Sequence, residues 1–165
     1  MAGLMPGVLV AAAACVPGLA PPAAFGSAPS TESVHGSLLT VAALLDATGV
    51  SSEVLTVGRL ETLYQLAWAC KDHREVCVRK AVLDVTACMA AHCDRRRQQP
   101  GRVAEWYEGR YLSEAVRWML SILRHATSND LRPHVFRAVG EVATHTQHAI
   151  RRQQQPPPPP ERRTS

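Results

Sequence analysis

At 165 residues the chain is long enough for one domain with a hydrophobic core of its own. Aromatic residues make up only 5% of it, and the abundance of Ala, Val, Leu and Arg favours helix over sheet. A formal charge of +4 is well short of a dedicated nucleic-acid binder, and no run of about eighteen apolar residues is present to span a membrane.

Residues 1–32 are rich in Ala, Pro and Gly. Two readings are open. One is an arm with little fixed structure. The other is a secretory signal, with VLVAAAACV as its apolar core and Gly18-Leu19-Ala20 as a small-residue cleavage site. No Lys or Arg precedes that core, and Pro6 stands just before it.

Residues 33–150 form the helical core domain. A short helix is expected from His35 to Ala47, stopping before Gly49. Ser51 or Ser52 can cap the next, Glu53 to Cys70, whose Leu55, Leu63, Leu66 and Ala67 recur at helical spacing. Asp72-His73-Arg74-Glu75 resembles a capping box, which starts a third helix running to Arg97. Pro100-Gly101 makes a turn. A fourth long helix, Arg102 to Thr127, follows, and a fifth from Leu131 to Ile150 tolerates Pro133 in its first turn. Residues 151–165 are a Pro/Arg tail, whose five consecutive prolines favour an extended segment.

The third and fourth helices, joined by a short turn, are expected to lie antiparallel as a hairpin with arms of roughly 37 Å. Each carries two apolar stripes. Val78, Val82, Val85 and Met89 make one on the third helix, and Val76, Leu83, Ala87 and Ala90 the other. On the fourth, Leu112, Val116, Met119, Leu120 and Leu123 make one, and Ala104, Tyr111, Ala115, Trp118 and Ile122 the other. A hairpin partner buries one stripe of each. A second copy of the hairpin would bury the remainder, giving an all-α, intermolecular four-helix bundle on a two-fold axis. The dimer interface is then Val78, Val82, Val85, Met89, Tyr111, Ala115, Trp118 and Ile122.

The five cysteines are an odd number, so they cannot all pair within the chain. Cys77 and Cys88 share a face three turns apart and are the candidates for a thiol meeting its own copy, against the plainer reading of cysteines as small packing residues. Cys88 and His92 at i, i+4 offer two ligands, too few for a zinc site, so no metal or other cofactor is assigned. No phosphate loop, His-Glu-x-x-His or nucleophile elbow occurs, and no catalytic residue is assigned. Arg95-Arg96-Arg97 reads as a solvated helix end favoured by the macrodipole. In the tail, Arg151, Arg152, Arg162 and Arg163 are candidates for contact with nucleic-acid phosphates.

LLD at 44–46, LY at 63–64, VRKAVLDVTACM at 78–89, AVRWMLSIL at 115–123 and LRPHVFRAVG at 131–140 resemble, in order and spacing, the core (capsid) proteins of hepatitis B virus and its relatives. The resemblance covers residues 38 to 145 and includes the proline-rich tail after the last helix. It implies a self-assembling capsid protein: hairpin dimers forming an icosahedral shell around viral nucleic acid. It further implies contacts between dimers at Phe136, Val139 and Val142, and residence in the virion capsid and in the host cytoplasm and nucleus. The family also has a secreted form with a signal sequence. The alternatives to a shell protein are a secreted helical-bundle ligand and an intracellular helical adaptor whose exposed helix face binds a partner helix.

Overall fold

The computed structural model describes residues 30–47, 55–98, 102–125 and 130–154, with side chains as far as Gln147. Within them the chain is all-α. Six helices follow in order: α1 Thr31–Asp46, α2 Val57–Ala69, α3 Val76–Arg95, α4 Val103–Arg110, α5 Leu112–His125 and α6 Arg132–Gln154. No helix among the described residues is long and apolar enough to cross a membrane. Of the arm or signal segment read at residues 1–32, residues 1–29 lie outside the described residues, as do Arg162 and Arg163 of the tail, and Thr31 and Glu32 are helical.

Local chemistry sets several boundaries away from those expected. The first helix begins at Thr31, because the Ser30 side chain accepts the Ser33 N–H at 3.2 Å. For α2 the cap is Thr56, accepting from Arg59 N–H at 3.4 Å, and the helix starts at Val57; the expected caps Ser51 and Ser52 and the expected start at Glu53 lie outside the described residues. The capping box at residues 72–75 does not form. Asp72 pairs instead with Lys71 at 2.9 Å, Glu75 donates its N–H to His73 Nδ1 at 3.1 Å, and α3 starts at Val76 with no side-chain cap. The last helix extends beyond Ile150 to Gln154 and carries Arg151 and Arg152 on its backbone.

The long fourth helix is two helices. They bend at Tyr111, which ends α4 with its N–H on Tyr107 O (2.9 Å) and passes its own carbonyl to Ala115 N–H (3.0 Å). An aromatic cluster explains the bend. Tyr64 of α2 stacks on Trp68 (5.4 Å between ring centres), meets Tyr111 at 4.5 Å and Tyr107 edge-on at 6.2 Å. The Tyr111 hydroxyl donates to Glu61 at 2.9 Å. Gly109, a weak helix former, sits at the turn before the bend.

Helix α3 is the axis of the fold. Its longest contacts are with α1 and α6, and α2 and α4 also pack on it. The expected two-arm hairpin of the third and fourth helices is therefore replaced by a bundle around α3. Val78, Val82, Val85 and Met89 are each at most 1% exposed within a single chain. So are Ala81, Leu83 and Ala90. Apart from half-buried Val76, both stripes of α3 are thus covered by the chain itself, so α3 offers no bare apolar stripe to a second hairpin. The physical reason is α1: it lies along α3 and buries Val34, Leu38, Val41, Ala42 and Leu45.

An ion-pair network closes the far side. Arg97, after α3, sits between Asp94 (3.1 Å) and Glu108 of α4, to which it makes a close ion pair. His145 of α6 lies 3.0 Å from Asp94. Burial raises the Asp94 carboxyl, but hydrogen bonds from His145 and Arg97 outweigh it and leave the group below its ordinary value.

Replacing the fully buried Met89 by Ala should cost about 2–5 kcal/mol, read as a lowered urea midpoint. If the burial is intramolecular as described, that midpoint will not change with protein concentration; a midpoint climbing with concentration would show that a second copy supplies the cover.

Candidate functional site

The eight residues read as a dimer interface divide by position. Tyr111, Ala115 and Trp118 are buried inside the chain with the four α3 residues, and Ile122 is half-buried. In α5 both stripes contribute to the core, unequally. The stripe carrying Tyr111, Ala115 and Trp118 faces the core; of the other, Met119 is fully buried, Leu112, Val116 and Leu123 are half-buried and Leu120 is 39% exposed.

Where that uncovered stripe points follows from its neighbours. Trp118 meets Trp68 of α2 edge-on at 5.2 Å, and Trp68 Nε1–H donates to Glu114 at 3.0 Å. That flank of α5 therefore faces α2. Val116, Leu120 and Leu123 lie on the opposite flank, about half a turn around the helix. On α6, Arg137 makes a close ion pair with Asp84 and His145 one with Asp94, so this flank faces α3. Phe136, Val139 and Ala143 lie on the other flank. Phe136 is 64% exposed, and Val139 is half-buried. Since α5 and α6 pack against each other, the two apolar flanks meet across the groove between them. Of the three contacts that the resemblance placed on α6, Phe136 and Val139 open on this groove, whereas Val142, 2% exposed, is a core residue. Leu39 on α1 is also exposed, but away from this groove, on the α1 flank that carries Asp46 and its ion pair to Arg95.

Of the basic run at 95–97, Arg95 is exposed at the helix end as expected, whereas Arg96 and Arg97 are turned inward. The Arg95 guanidinium donates to Leu45 O at 2.6 Å and lies 3.7 Å from Asp46. Arg96 is buried and donates to Leu55 O at 2.5 Å. Buried His92 has Nδ1 3.1 Å from Leu45 O and Nε2 3.5 Å from Arg96. A carbonyl can only accept, so Nδ1 carries the proton and Nε2 presents its lone pair to Arg96. His92, Arg95 and Arg96 at the end of α3 thus hold two carbonyls: Leu45 O, left open at the end of α1, and Leu55 O in the segment before α2. Periodicity could not reveal this, because the acceptors lie 41 to 50 residues away in sequence.

The cysteines keep their expected shared face. Cys77 is exposed and Cys88 partly exposed, on the open strip of α3 with Lys80, Asp84 and Arg95. Burial pushes the Cys93 thiol up to about 12 and also raises Cys88. Among the described residues no three His, Cys, Asp or Glu groups converge as a metal cluster would require. No family profile, curated protein or solved structure matches the chain.

The corner has a pH signature. Burial lowers the His92 pKa below its ordinary 6.5, the bond to Leu45 O opposes this, and Arg96 and Arg95 lower it further. The unfolded chain therefore takes up this proton at higher pH than the folded one. Its contribution to stability is constant above the unfolded value and declines as pH falls through 6.5 toward the folded value. In His92→Asn, which keeps a donor for Leu45 O, urea midpoints measured between neutral and mildly acidic pH should lose that part of the slope.

Proposed function

We propose that this chain is a non-catalytic helical interaction module that docks a partner at the groove between α5 and α6. One observation supports this most directly. The core closes within one chain, yet Leu120 of α5 and Phe136 of α6 remain exposed, with half-buried Val116, Leu123 and Val139 on the same flanks. A large aromatic side chain 64% exposed beside other open apolar residues is a recurring mark of an interaction surface. This corresponds to the helical-adaptor alternative. It requires neither the inter-chain hairpin nor the basic tail.

A second reading, the self-assembling viral core protein, draws support from the ordered resemblance of residues 38–145 and from the exposure of Phe136, where that resemblance places contacts between dimers. On that reading the α5–α6 flank is a surface for association, since the α3 stripes are covered within one chain. Nucleic acid would enter through the tail arginines.

Sedimentation of the full chain separates the two readings. The module should run with the mass of one chain up to high concentration. A megadalton particle, seen also by electron microscopy, would establish the shell. A photo-crosslinking residue at position 136 in expressing cells should then give adducts that the same residue at position 39 does not. Adducts at multiples of the chain's own mass would count for self-assembly and against the module.

A further inference from the structure

We propose that the partner is an amphipathic helix bearing carboxylates along the edges of its apolar stripe. The inference rests on the interaction-module reading and adds the partner's chemistry. It is carried by the charge around the groove. On α5, Arg117 and Arg124 stand on the outer edge, next to Leu120. On α6, Arg132 lies one turn before Phe136, on the same flank. All three arginines are exposed, and none makes an ion pair among the described residues. Other arginines of the fold are engaged: Arg97, Arg110 and Arg137 each hold a carboxylate.

The carboxylates of α5 and α6 are turned elsewhere. Glu114 accepts from Trp68 on the α2 side. Glu141 lies 3.7 Å from His145 on the α3 side. Thus the groove has an apolar floor, basic edges and no acidic group on either helix's facing flank. Open cations at the rim of an apolar strip select a partner of opposite charge and speed its encounter. They also argue against a second copy as the occupant. On a two-fold axis each copy would set its arginines against the other's, with no facing carboxylate to relieve them. A helix with leucines at i, i+4 and i+7 and glutamates flanking them matches the floor and both edges.

The probe is a pair of fluorescent peptides of one leucine-striped helical sequence, one edged with glutamate and the other with lysine, titrated into the full chain at low salt. The glutamate peptide should bind more tightly, and its affinity should fall as salt rises. Reversing Arg117→Glu and Arg124→Glu together should weaken it about tenfold and turn the preference toward the lysine peptide. Phe136→Glu should weaken the glutamate peptide by about thirtyfold or more, while Leu39→Glu leaves it unchanged. Backbone amide signals of residues 116–123 and 136–143 should move on binding. Equal binding of both peptides, lost in Phe136→Glu, would overturn the acidic partner while the module reading survives. Binding that is unaffected by Phe136→Glu or equally reduced by Leu39→Glu would overturn the site. No binding by either peptide would overturn the proposal together with the reading beneath it.

Discussion

Burial of α3 on every side but one narrow strip is the constraint on which the other five helices depend. Val78, Val82, Leu83 and Met89 are fully covered, and each contributes about 1.5–3 kcal/mol by leaving water. That cover has to come from helices lying along α3, and α1 and α6 provide most of it. Alanines at 81, 87 and 90 let neighbouring backbones approach closely. With the apolar faces of α3 taken by the other helices, α5 packs beside them. It packs between α2, α4 and α6, and one of its apolar flanks stays open.

Charge is distributed by the same logic. The arginines nearest α3 serve the fold. Arg95 and Arg96 hold carbonyls of the α1–α2 corner, and Arg97 joins α3 to α4. Arg96 is buried and Arg97 largely so, while Arg95 stays exposed beside Asp46. Arg117, Arg124 and Arg132 are different. They border the open groove and make no ion pair among the described residues. Apolar exposure and uncommitted positive charge therefore coincide on one side of the molecule.

Helix positions were readable to within a turn wherever a breaker or a strong pattern marked them. Pro133 entered a first turn as expected, and Leu63, Leu66 and Ala67 are buried as their spacing required. The failures have particular causes. Asp72 and Glu75 had the spacing of a capping box, but Lys71 and His73 offered nearer partners. The bend at Tyr111 was hidden because the apolar period of 102–127 runs through it unbroken. What imposes it is a ring contact with Tyr64, 47 positions earlier. Of the residues at the groove, Phe136 and Val139 were singled out in sequence through a resemblance, whereas Leu120 was assigned to the covered stripe.

An amphipathic pattern fixes which residues are apolar and on which side of a helix they fall, because the 3.6-residue period is local. From that alone the chain is helical throughout its core, with two apolar stripes on each of its middle segments. It does not fix which neighbour meets which stripe. That choice belongs to packing, where α1 lies along α3 and covers it within one chain. Ala115 and Leu120 are similar in pattern and opposite in fate, one sealed inside and the other facing water, because Trp68 and Tyr64 turned α5 toward α2.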